Sequence, residues 1–195
     1  MNAQEVENRI VRDIQENAFE RQKVWPHEYR GFKLAEHLER TIYLCPKCGS
    51  VDSMASRGNR FTCRCGFSVR FTEMGTFEPS VPFEDLAQWE DWQAQQLRNR
   101  EFRHGRALLF DTGVQLTQVF SNHEEIPIAY GAMELYEDKL VCCGLELPLE
   151  EITDMSVTRT RLLMLSFRNK YYEICAAKNA NVRKYYEIWA QKHGL

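Results

Sequence analysis

The sequence predicts an α+β protein, mainly β with helices at its start, middle and end. Three observations predict it. From residue 105 onward, short β-branched and aromatic runs are separated by tight turns; amphipathic stretches with helical spacing flank residues 41–78 and close the chain; and four cysteines fall within 41–78. Of 195 residues, 44% are hydrophobic and 27% charged, with 10 Gly and 6 Pro, which supplies a sizeable core and leaves no long flexible linker.

Residues 1–40 read as a helical lead-in. Val6, Ile10, Val11, Ile14, Ala18 and Phe19 keep a three-to-four spacing across 4–23, the pattern of one amphipathic helix. Pro26 and Gly31 then break the chain, and Phe32, Leu34, Ala35 and Leu38 make another short helical turn or two. Residues 41–81 read as a small metal-stapled ribbon, with TIYL, RFT and FSVRFTEMG as strands. Residues 82–104 form a connecting helix that opens on Glu84 and Asp85 and closes on Arg98, Arg100 and Arg103, the charge order a helix dipole favours. Its Phe83, Leu86, Trp89 and Trp92 keep a three-residue step, so both tryptophans are expected to face a neighbour.

Seven strands are expected in 105–195, at 106–110, 114–120, 129–136, 139–144, 152–158, 161–167 and 171–177. A final helix follows, with Asn179 or Asn181 as cap and Val182, Tyr185, Tyr186 and Trp189 on one face. Seven antiparallel strands and one helix require a β-barrel or sandwich whose open end the helix covers.

Charge and segment chemistry narrow the function classes. The net charge is −3, so no global field draws the chain to nucleic acid or an anionic bilayer. Only 41–78 is basic, with five Lys and Arg against three Asp and Glu. No apolar run reaches the roughly 18 residues of a spanning helix, and MNAQEVENRI has no apolar signal core, so a cytoplasmic chain is expected, with at most peripheral membrane contact.

The motif richest in chemistry is Cys45-Pro-Lys-Cys48-Gly49, thirteen residues, then Cys63-Arg-Cys65-Gly66. Four thiolates suit tetrahedral Zn²⁺, and the glycine after each pair permits the positive φ of a metal knuckle. A fully protein-ligated ion has no vertex for water, so the expected zinc is structural. An iron–sulfur centre and a redox or unliganded arrangement are the alternatives. The second pair has one residue between its cysteines where two is usual, which leaves room for His104 or Cys175 to share the role. Lys47, Arg57, Arg60 and Arg64 lie close enough in sequence to offset the tetrathiolate charge. With seven cysteines and no secretion signal a disulfide framework is not expected, and Cys142, Cys143 and Cys175 read as packing thiols.

No catalytic constellation emerges. The chain has no Gly-x-Ser-x-Gly elbow, phosphate loop, dinucleotide fingerprint or His-Glu-x-x-His, and its five histidines are scattered. Two binding surfaces are conceivable. Arg57, Arg60, Arg64 and Arg70 with Phe61, Phe67 and Phe71 would make a basic, aromatic face for nucleic acid, disfavoured by the acidity of the rest. Arg159, Arg161, Arg168 and Lys170 surround Leu162, Leu163 and Met164 and would touch anionic lipid or a partner if exposed; the favoured reading packs Leu163 and Leu165 in the core with the charges on the rim.

The run KLAEHLERTIYLCPKCGSVDSMASRGNRFTCRCGFSVRFTEMGTFEP followed by FEDLAQWEDWQ resembles the region after the catalytic domain in bacterial lysophospholipid (1-acyl-sn-glycerol-3-phosphate) acyltransferase-like proteins. The matching residues are Ala35, Glu36, Leu38, Glu39, Tyr43, the four cysteines, Trp89, Trp92 and Gln93, and the resemblance covers roughly 4–97. It implies a zinc ribbon partnered with an upstream acyltransferase domain or protein. That family's chemistry uses a His and an Asp separated by four residues; no histidine here has that partner, so no catalytic residue carries over. Residues 105–195 look like a pleckstrin-homology-type module on strand count and closing helix. The acidic SNHEEIP stretch, 121–127, where inositol-phosphate binders place Lys and Arg, points that module toward a protein or intramolecular partner instead.

Overall fold

Among the described residues the chain forms four α-helices and two antiparallel sheets, of four and seven strands, the α+β class the sequence predicts. The computed structural model describes residues 2–14, 17–79, 81–178 and 180–195, and the side chains of all of these except Arg12 and Asp13.

The helix expected over 4–23 is two helices, α1 (Ala3–Ile14) and α2 (Ala18–Val24). Asn17 is the reason: its side chain accepts the N–H groups of Phe19 and Glu20, starting α2 as a new helix. Val6, Ile10, Val11 and Ile14 of α1 stay exposed, and α2 buries no residue. The helical turns expected at 32–38 do not form either. Lys33 and His37 take φ of +63° and +74°, outside the right-handed helix, and only a 3-10 turn, Leu38–Arg40, remains.

The smaller sheet is β1 (Met54–Arg57), β2 (Arg60–Cys63), β3 (Ser68–Phe71) and β4 (Phe77–Glu78), paired in that order. α3 (Leu86–Arg98), capped by Asp85, lies against it. Trp89 has no solvent exposure, and the rings of Phe61, Phe67, Phe77 and Phe83 surround it at centroid distances of 5.1–6.0 Å. The buried stripe of α3 is Trp89, Gln93 and Leu97, an i, i+4 row, and not the three-residue step read from the sequence.

Gln93 is buried for a reason. The TIYL segment, 41–44, is not a strand; it makes only a bridge between Leu44 and Val51. Side chains satisfy its backbone. Gln93 Oε1 accepts from the N–H groups of Tyr43 (2.9 Å) and Leu44 (3.3 Å), and Gln93 Nε2 donates to the Thr41 carbonyl (2.9 Å). Trp89 Nε1 donates to the Leu44 carbonyl and Asn181 Nδ2 to that of Thr41. Buried amides must find partners, and here two helices supply what a ladder otherwise would.

The larger sheet comprises β5 (Leu109–Val119), β6 (Glu125–Leu135), β7 (Lys139–Cys142), β8 (Leu145–Pro148), β9 (Ile152–Thr158), β10 (Leu162–Phe167) and β11 (Lys170–Cys175). Their order is β8-β7-β6-β5-β11-β10-β9, so β8 and β9 are free edges and the sheet is a sandwich rather than a closed barrel. The expected strands at 106–110 and 114–120 are one strand, β5, which stays continuous because Gly113 (φ +70°) takes the unpaired place in a bulge. The seventh strand is instead β8, folded back by Cys143 and Gly144 (φ +51° and +85°), a two-residue hairpin turn. Helix α4 (Arg183–His193) covers the sandwich through Tyr185, Ile188 and Trp189. The N-cap position falls on Val182, not on Asn181 as expected from the sequence, although Asn181 accepts the Arg183 N–H at 2.9 Å; Asn179 lies outside the described residues. Among the described residues no helix is long and apolar enough to cross a membrane, which says nothing about strands.

Candidate metal centre

Two loops bring the four cysteines of the motif together. Cys45 and Cys48 lie on the turn after TIYL, Cys63 ends β2, and Cys65 follows it in the turn to β3. Their sulfurs all lie within 4.8 Å of one another, with Cys45 Sγ 3.7 Å from Cys65 Sγ and Cys48 Sγ 3.7 Å from Cys63 Sγ. None is in a disulfide. A metal–sulfur bond of about 2.3 Å in tetrahedral geometry requires sulfurs about 3.8 Å apart. The observed cage therefore fits a single small ion and is too tight for a multi-iron cluster with bridging sulfides.

The knuckle glycines behave as their chemistry demands. Gly49 and Gly66 have φ of +67° and +85°, and their N–H groups close turns onto the Cys45 and Cys63 carbonyls. This geometry turns backbone N–H groups toward sulfur: Lys47 and Cys48 to Cys45, Ser50 to Cys48, Cys65 to Cys63, and Phe67 to Cys65. The short second knuckle thus keeps a backbone donor for each of its sulfurs. The group comprises these four cysteines among the described residues; neither His104 nor Cys175 joins it, and Cys175 instead pairs across the large sheet with Gln115.

The four thiols differ in environment. Burial pushes Cys45 up to about 12 against the pull of its two N–H donors, whereas the Ser50 hydroxyl and N–H bring Cys48 down to about 6. Burial opposes ionisation of Cys63, yet the Cys65 N–H and the Ser53 hydroxyl, 3.1 Å from the sulfur, lower it. The Phe67 N–H pulls Cys65 down, but burial and the neighbouring sulfurs leave it raised. Four sulfurs this close cannot all ionise without a cation between them, a charge that a bound metal ion would supply.

The cationic neighbour of the knuckle is one that sequence proximity missed: Arg100, beyond α3, donates through Nη2 to the Gly49 carbonyl. Asp52, on the loop between the two cysteine pairs, pairs with Lys184 of α4. Lys184 is fully buried and also pairs with Asp111 of β5 at 2.8 Å, and Tyr185 donates to the same Asp111 carboxylate at 2.7 Å. Burial and the Asp111 charge push the Tyr185 hydroxyl well above its ordinary value. Beside this network, Glu187 accepts from Arg98 (2.6 Å) and Arg183 (3.1 Å), joining α3 to α4. A faint signal existed: Lys184 stands four residues before the apolar Ile188 and so shares its inward face.

The other candidate surfaces come apart. Phe61 is wholly buried and Phe67 and Phe71 pack on the ribbon core, so these rings hold α3 instead of forming a stacking platform, while Arg70 is engaged by Glu73 and Glu78. Arg159 and Arg161 lie in the β9–β10 turn; at the opposite end of β10, Arg168 lies in the β10–β11 turn and Lys170 begins β11. Arg168 there makes a two-pronged pair with Glu151 at 2.6 and 2.9 Å. Leu163 and Leu165 are buried, the packing reading of that stretch. The chain matches no model of a known protein family and no curated protein.

Proposed function

We propose that the chain is a non-catalytic, zinc-binding accessory module. Zn²⁺ held by Cys45, Cys48, Cys63 and Cys65 fixes the ribbon against α3, and the seven-stranded sheet with α4 serves as a pleckstrin-homology-like module that docks on a partner or membrane surface. The observation that carries the reading is the spacing of the four sulfurs, two contacts at 3.7 Å and all within 4.8 Å, with backbone donors turned onto them. With all four tetrahedral positions filled by protein, the ion supplies rigidity and charge, not a bound water for hydrolysis. Its preference for thiolate over oxygen ligands favours zinc over magnesium or calcium.

The partner in this reading is a 1-acyl-sn-glycerol-3-phosphate acyltransferase, supported by the resemblance of residues 4–97 to the region that follows such catalytic domains. Elemental analysis of the purified chain is expected to find about one zinc per chain, lost in a Cys45→Ser, Cys48→Ser double variant; iron in its place would overturn the metal assignment. The chain alone is expected to transfer no acyl group to lysophosphatidic acid while co-eluting with such an acyltransferase. Turnover by the chain itself would overturn the non-catalytic role, and failure to co-elute would overturn the association.

A further inference from the structure

Between α3 and β5 the chain runs Arg100-Glu101-Phe102-Arg103-His104-Gly105-Arg106, and Arg103 and Arg106 form an antiparallel bridge around the two-residue turn His104-Gly105. Gly105 makes the turn at φ +68°, and the Arg106 N–H closes it on the Arg103 carbonyl at 2.9 Å. Residues bridged across such a turn project to the same face, so both arginine side chains leave the backbone on one side. They line, with Arg100, Glu101, Ala107 and Leu108, a cavity of about 530 Å³. Like charges directly opposed across a bridge repel and cost stability. Among the described residues no carboxylate comes within ion-pair distance of either arginine. In the adjoining cavity, which both also line, Glu134 accepts the Tyr136 hydroxyl and Glu146 is paired with Lys139, while Glu137 and Asp138 complete the acidic part of the lining.

We propose that this cavity binds a phosphomonoester group. Three arginines outnumber the single Glu101 carboxylate in this lining. Although Arg103 and Arg106 also border the adjoining cavity with Glu134, Glu137, Asp138 and Glu146, neither is ion-paired there among the described residues, so the local positive surplus suits the nearly dianionic state of a phosphomonoester at neutral pH. Paired planar guanidinium forks suit the three equivalent oxygens of phosphate better than a point-charge ammonium does. The cavity is open to the surface, with room beside the arginines for the group that carries the phosphate. Arg100 also reaches the first cysteine knuckle through the Gly49 carbonyl, so the test replaces only Arg103 and Arg106, which leaves that contact in place and makes failure of this site separable from failure of the zinc assignment.

The test is isothermal titration calorimetry of the metal-loaded full chain with inorganic phosphate, alongside flotation with phosphatidylcholine vesicles containing either phosphatidic acid or phosphatidylserine. Saturable phosphate binding supports the site and assigns it a soluble ligand; binding confined to phosphatidic acid vesicles supports it and assigns a lipid headgroup. In either case Arg103→Gln with Arg106→Gln is expected to weaken binding about tenfold or more while zinc content and circular dichroism stay unchanged. Absence of binding to both probes, equal binding to phosphatidylserine vesicles, or binding indifferent to the double substitution would overturn the proposal.

Discussion

The ribbon and the seven-stranded sheet are both antiparallel, but they reach stability by different routes. The sheet has strands of up to eleven residues and a core built largely from its own alternating side chains, among them Val114, Leu116, Met133, Leu163 and Ile174, with α4 as its cover. The ribbon has strands of two to four residues, and its hydrophobic centre is a tryptophan lent by α3. A sheet that short buries too little to order itself, so it borrows a helix on one side and four sulfurs on the other. The two regions then meet at an ionic joint, Asp52 and Asp111 on the buried Lys184, with Trp92 packed against both cores.

The sharpest way to break that comparison is to take away the metal. Chelation, or Cys45→Ser with Cys48→Ser, is expected to abolish hydrogen-exchange protection across β1–β3 while β5, β10 and β11 stay protected. Simultaneous loss in both sheets would show that the large sheet is not self-sufficient. Next in size is the joint itself. Lys184→Met takes the cation from Asp111, which is mostly buried, and from Asp52, which is partly exposed, and is expected to cost about 2–3 kcal/mol in urea unfolding.

Gln93→Ala probes the borrowed helix. It strips partners from the Tyr43 and Leu44 N–H groups and the Thr41 carbonyl, and a loss of about 2 kcal/mol is expected, read as a lower denaturation midpoint with unchanged zinc content. The smallest effect belongs to Arg168→Ala. Arg168 holds the Glu151 carboxyl below its ordinary range, so their pair contributes above the unfolded pKa of Glu151 and fades as pH falls through the lower folded value. Because the pair is solvent-exposed, Tm at neutral pH is expected to stay within measurement error.

The legible features were those whose cause is local. The cysteine pairs and their glycines specify knuckles through turn geometry; Asp85 starts α3; alternating apolar residues placed β9, β10 and β11 to within a residue or two. What escaped depended on distant partners. TIYL has strand composition, yet its ladder is replaced by Gln93, Trp89 and Asn181, residues 45 to 140 positions away. Arg159 and Arg168 are near in sequence but stand at opposite ends of β10, because extended backbone separates what a helix would gather.

By itself the sequence determined the α+β class, the sulfur donor set and the closing helix, since periodicity and turn chemistry act within a few residues. Only the tertiary structure decided that Lys184 would be buried between two aspartates, that Arg100 would meet the Gly49 carbonyl, and that β5 would run unbroken through Gly113. Each of those outcomes is a balance of desolvation against a partner supplied from elsewhere in the chain, and no local window contains both sides of it.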